Sequence, residues 1–134
     1  MKKVLILLSL SLLSIVAFPQ KMKESYYQNG FAIIMKGQKE VVLDDLARID
    51  IVTDTFAIEV DFAPKWAESI GQSLYYSEKI GRKAGVLLLV NGKKDDRYVA
   101  RLMEVAVRNH ITVWVMDYNT DNWKRVGIKT TYTY

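Results

Sequence analysis

A chain of 134 residues with half of them hydrophobic has the length of one domain with one modest core and is too apolar to stay disordered. It contains no cysteine, which excludes disulfides, thiol catalysis and cysteine-based metal sites. The net charge is +4, from 19 basic and 15 acidic residues, and without Lys2 and Lys3 it is 17 against 15, or +2; this mild excess permits nucleic-acid binding but does not argue for it.

The first 17 residues pair a basic start, Lys2 and Lys3, with the apolar run VLILLSLSLLSIVAF. That is a signal-peptide pattern, too short for a membrane-spanning helix. Cleavage after Ala17 is expected, with an uncleaved anchor as the alternative because Ile15 stands where a small residue is usual. Residues 18–134 then form a single exported domain, periplasmic or secreted, with no stable membrane span.

Lys21 to Met35 reads as a helix with Tyr26, Tyr27, Phe31 and Ile34 available to pack and Gly30 as a point of interruption. KEVVLDD, Lys39 to Asp45, reads as a first strand ending in an acidic turn. Arg48 to Phe62 reads as a hairpin with Asp54 and Thr55 at its tip, so that Asp50 faces Glu59 and Arg48 faces Asp61. Side chains alternate across a strand. One face then carries Ala47, Ile49, Ile51, Phe56, Ile58, Val60 and Phe62, and the other gathers Arg48, Asp50, Glu59 and Asp61 around Val52 and Ala57.

The first face is a core. On the second, two carboxylates about 4 Å apart at an effective dielectric near 20 repel by about 4 kcal/mol. Arg48, a shared proton or a divalent cation with oxygen ligands would offset that; a solvated face balanced by Arg48 and nearby lysines is the alternative.

From Pro64 the pattern turns helical, with Gly81 as its stop. Trp66, Ala67, Ile70 and Leu74 form an apolar stripe, and Lys65, Ser69, Gln72, Tyr76 and Lys79 form a polar one that can lean over the acids. AGVLLLVN is an unbroken apolar run, expected as a parallel strand covered on both faces. Asp95 or Asp96 caps a helix running to Arg108, with Val99, Leu102, Met103, Ala106 and Val107 inward. ITVWVM is a second buried strand. The polar tail DYNTDNWKRVGIKTTYTY supplies either an edge strand or a basic, aromatic arm, with Trp123 exposed. His110, the single histidine, lies between helix and strand as a surface or capping residue.

Asp50, Glu59 nine positions on within IEVD, and a following helix with Gln72 and Tyr76 in Q-x-x-x-Y spacing together resemble the PD-(D/E)XK nuclease superfamily. The Gln/Tyr helix is most similar to the RecB-type branch, and the resemblance spans about Lys23 to Met116. It implies an α/β fold with a restriction-endonuclease-like αβββαβ core, a mixed central sheet flanked by helices.

It further implies that Asp50 and Glu59 hold magnesium, or manganese, and that Glu24 assists from the first helix. The family's lysine two residues after the acid is here Asp61. The family tolerates its relocation onto the neighbouring helix, which gives that role to Lys65 and leaves Asp61 as a further ligand or as Arg48's partner. Gln72 and Tyr76 would position a ligand or support the metal-holding residues. The expectation is an exported, magnesium-dependent nuclease acting on nucleic acid. Its rivals are a binding module that kept the fold and lost catalysis, and a secreted factor whose tyrosines meet a protein partner.

Overall fold

The unbroken apolar run lies at the middle of the sheet because it is covered on both faces. In the computed structural model, which describes residues 21–120 and 127–129, this run is β4 (Lys83–Val90). The other elements are α1 (Glu24–Met35), β1 (Gln38–Val42), β2 (Arg48–Val52), β3 (Phe56–Phe62), α2 (Trp66–Ile80), α3 (Asp96–Arg108), β5 (Thr112–Asp117) and β6 (Gly127–Lys129). The strands form one mixed sheet in sequential order. β1, β2 and β3 are antiparallel, β3, β4 and β5 parallel, and β6 returns antiparallel along β5. The chain is therefore α/β, with the element order expected from the sequence and a tail that supplies an edge strand over residues 127–129. The leader, the cleavage point after Ala17 and Trp123 lie outside the described residues.

Alternation along β4 divides two cores. Leu87 and Leu89 pack with Ile58, Val60, Trp114 and the α1 residues Tyr27 and Phe31. Ala84, Val86, Leu88 and Val90 face the other way, against Leu102 and Ala106 of α3, with Trp66, Ile70 and Leu74 of α2 at the margin. Each such side chain stabilises by about 1.5–3 kcal/mol relative to exposure. Gly85 belongs to the first face: a Cβ there would lie 2.8 Å from the Trp114 ring and 3.1 Å from Ile58, so the bare backbone makes room for the indole. Among the described residues no helix is long and apolar enough to cross a membrane.

α1 runs through Gly30 without interruption. Its buried face is Tyr27, Gln28, Phe31 and Ala32, whereas Tyr26 and Ile34 are 40% and 52% exposed. The cause is Gln28, whose Nε2 turns inward to donate to Glu40 Oε1 at 2.6 Å and to the Asp50 carbonyl at 2.9 Å. A buried amide needs such partners, and satisfying it rolls Tyr26 and Ile34 to the rim. Asp95 does not cap α3 through its side chain; a short 3-10 turn over Gly92–Asp95 intervenes, and the Asp95 carboxylate accepts the Asn91 N–H instead, at 2.7 Å.

The hairpin keeps its expected register near the tip, where Ile51 faces Ile58 and Val52 faces Ala57. Thr53 Oγ1 accepts the N–H groups of Thr55 and Phe56 and so fixes the turn. Further out, the strict alternation fails. Ile49 is buried against Ala57 and Tyr76, with Ala47, Val52 and Ile80 around it, rather than beside Ile51 and Ile58. The reason lies at Asp50, which bonds Val60 through its side chain, and at Glu40, its neighbour on β1, which has a positive φ of 55°. The local twist carries Ile49 and Ala47 to the α2 side.

Candidate functional site

β3 pairs with β4 along its whole length, from Phe56 opposite Lys83 to Phe62 opposite Leu89. Its ladder with β2 has only the two pairs beside the turn. Where the third would begin, Asp50 Oδ2 accepts the Val60 N–H at 2.8 Å, a carboxylate taking the place of a strand carbonyl. Past this point β3 presents Glu59 and Asp61 on the face that also carries Ala57. Both acids are buried, at 6% and 3% exposure.

These acids are held at a cost. Burial pushes Glu59 up to about 9, and the charges of Asp50 and Asp61 add to the shift. Burial and then the charge of Glu24 push Asp61 up to about 7, against the pull of Lys65. Burial raises Asp50 to about 6, although the Val60 N–H opposes it. Among the described residues, Glu59 Oε2, Asp61 Oδ2 and Gln72 Oε1 are buried without a hydrogen-bond partner. Buried polar atoms in folded proteins are otherwise almost always paired, so three in one neighbourhood mark a place where a ligand would satisfy the protein.

α2 brings the polar stripe here. Its most buried side chains are Ser69, Ser73 and Tyr76; the serine hydroxyls return their bonds to the helix carbonyls of Lys65, Trp66 and Ile70. Small, internally satisfied residues let the helix approach the sheet. Tyr76 then lies beside Glu59: burial and that acid's charge raise its phenol, while the Gln72 amide acts in the opposite direction. Lys65, in the 3-10 turn Ala63–Lys65 just ahead of α2, pairs its Nζ with Asp61 Oδ1 at 3.6 Å. The charges of Asp61 and Glu24 raise the Lys65 ammonium. Burial raises the Glu24 carboxyl, and Lys65 restrains it.

The structure thus gathers Glu24, Asp50, Glu59, Asp61, Lys65, Gln72 and Tyr76. Arg48 is placed differently from the expectation: it binds Glu40 through Nε at 2.6 Å and not Asp61, although its charge still lowers Asp50. With β2 and β3 parted beyond Asp50, the nearer acid on β1 captures it. Lys79 leaves the stripe for Asp45 at 3.7 Å. Glu68 was not singled out from the sequence, yet its charge acts on Glu24, Glu59, Asp61 and Lys65; its spacing of three from Lys65 on one helix was the available signal.

As for a metal, the donors are all oxygen, which suits a hard cation such as magnesium, and the unpartnered carboxylate oxygens fit its demand. Among the described residues no three His, Cys, Asp or Glu side chains are arranged as a ready metal cage. Magnesium is commonly held by one or two carboxylates, with water and substrate phosphate completing the shell, and a two-acid site meets that requirement. No protein-family model, curated protein or solved structure matches the chain.

Proposed function

We propose that the domain hydrolyses phosphodiester bonds of nucleic acid with a divalent cation, in the manner of restriction-endonuclease-like enzymes. The supporting observation is the parting of β2 from β3 at Asp50, which leaves Glu59 and Asp61 buried with unmet oxygens beside the Lys65 ammonium. The element order αβββαβ and the Gln72/Tyr76 helix beside Glu59 agree with that reading. Glu59 and Asp50 would hold the cation, with the unmet oxygen of Asp61 as a further ligand; when bound, it would polarise a phosphate and lower the pKa of water.

The chain's own side chains do the rest. Lys65 Nζ, tied to Asp61 on one side, is the cationic group for charge developing on the phosphate. Tyr76, beside Glu59, and Gln72, whose Oε1 is unmet, are the groups on α2 that would position a ligand or support Glu59 once a cation is bound. Glu24 and Glu68 set the acidity of the Asp61 end and hold Lys65 charged.

One rival has an observation in its favour. Lys65 pairs with Asp61, and Asp61 stands where the family's lysine would be, as expected of a domain that binds a cation and cleaves nothing. The two readings part in one experiment: cleavage of single- and double-stranded DNA and RNA with Mg2+, with Mn2+ and with chelator, by wild type, Asp50→Ala and Glu59→Ala. The nuclease reading expects metal-dependent cleavage that falls at least about a hundredfold in both variants. Equal traces of activity in all three proteins would sink it, and cation binding without cleavage would establish the rival.

A further inference from the structure

Phe62 ends β3 immediately after Asp61, and Tyr118 follows β5. Both lie at the carboxyl end of the parallel strands, where open α/β sheets gather their ligands. They belong to the α1-side core, opposite the face of Asp61. The two sides meet over the end of the sheet at Glu24, whose carboxyl feels both Lys21 and Lys65 and whose charge acts on Asp61. The two rings meet edge to face, with centroids 5.7 Å apart at 88°, and Phe62 meets Tyr27 likewise at 6.0 Å and 86°. Tyr118 is held further by Asn91, whose side chain acts on its hydroxyl. Both Phe62 and Tyr118 remain half-buried.

The face of Phe62 is covered by a group from outside the core. Lys21, an exposed residue ahead of α1, sets its Nζ 3.6 Å from the Phe62 centroid and 5.7 Å from that of Tyr118. An external side chain therefore reaches this π-face, and a single flexible lysine is readily displaced from it. Charge states the need for such a surface. Beside the site Lys21 and Lys65 are the basic groups, and Lys65 is already paired with Asp61, so the phosphate attraction that dominates most nucleic-acid binding has few cations to draw on here. Contacts to bases must carry a larger share.

We propose that Phe62 and Tyr118 form a stacking platform for an unpaired nucleobase, which makes single-stranded nucleic acid the substrate class of the acid site. When a base takes the Phe62 face, the Lys21 ammonium is released to meet a phosphate of the same strand. Duplex bases are already stacked and paired, and they cannot use the platform without being unpaired. The proposal rests on the nuclease reading for its placement, but it is tested separately.

The test measures binding of the full chain, with Ca2+ in place of Mg2+, to a short oligothymidylate and to a base-free sugar-phosphate strand of equal length. A strand carrying 2-aminopurine reports stacking by fluorescence quenching. The wild type is expected to bind the base-bearing strand the more tightly and to quench the probe. Phe62→Leu should weaken that strand about tenfold, on the order of one lost stacked base, and leave the base-free strand unchanged. Phe62→Tyr should keep wild-type binding, and matched thermal melts of the variants verify folding. Equal wild-type affinity for the two strands, or no quenching, overturns the platform even if Mg2+-dependent cleavage is found. Loss of cleavage alone, with base-selective binding intact, overturns the nuclease reading and leaves the platform standing.

Discussion

The two flanks of β3 are built on opposite terms. Towards β4 the strand is fully zipped and both neighbours are apolar, so backbone pairing and burial favour the same register. Towards β2 it is zipped only beside the turn, and beyond that the Asp50 side chain does what a carbonyl would otherwise do. The closed flank gives the sheet its stability. The open flank accepts buried, mutually repelling acids that no apolar partner could satisfy, and it is tolerable because the first flank holds β3 in place.

That contrast can be broken from either side. Ile58→Ala, on the side chain packed with Ile51, Leu87 and Trp114, should cost about 2–5 kcal/mol in a denaturant titration; a loss below about 1 kcal/mol would mean that the closed flank is not what holds the strand. At the open flank, Asp50→Ala leaves the Val60 N–H without its acceptor, while Asp50→Asn keeps one. The alanine variant should be the less stable of the two by about 1–3 kcal/mol, and equal midpoints would show that the carboxylate does not replace a ladder bond.

The acids also reverse the usual dependence of stability on pH. Asp50, Asp61 and Glu59 keep their protons to about 6, 7 and 9 in the folded chain, well above ordinary carboxyl values. The folded state therefore binds more protons than the unfolded one in this range. The stabilisation is fully present below the ordinary carboxyl range and is lost as pH rises through those values, with a slope of up to about 1.4 kcal/mol per unit for each group. In chelator, the melting temperature should fall from about pH 5 to pH 9. Glu59→Gln should flatten the upper part of that fall, and a wild-type profile that rises with pH would refute the assignment. The smallest effect belongs to Lys65. Its side chain is 56% exposed, so Lys65→Met should change stability by less than about 1 kcal/mol, while any cleavage should drop far more; parallel losses in both measurements would make Lys65 a structural residue.

Much of this was legible in the sequence because local rules governed it. β4 is an apolar run too continuous for a one-sided strand. α2 ends at Gly81, whose φ of 65° is the left-handed value that glycine adopts freely. The hairpin tip at Asp54 and Thr55 follows from the two apolar runs on either side of it, and Thr53 closes that turn with its hydroxyl. What escaped was set by contacts distant in the chain. Nothing in the alternation of Ala47 to Val52 signals that Asp50 will reach across to Val60, yet that bond moves Ile49 to the other side. Gln28 decides the roll of α1 through partners 12 and 22 residues away. Arg48 had several acids within plausible reach, and only the spacing of β2 from β3 selects Glu40. The acid pair, Lys65 and the Gln72/Tyr76 stripe were readable; Glu68 and the Lys21 contact were not.

Among the described residues β1 is the outermost strand on its side of the sheet, and such a rim offers unspent amides to any passing chain. Glu40 gives it a left-handed kink, with charge beside it from Lys39 and Arg48. The bend is anchored rather than loose, since Gln28 and Arg48 both grip the Glu40 carboxylate. A foreign ribbon laid along this margin would lose its pairing half-way, so the same residue that steadies the first helix also protects the protein from fibrous self-association.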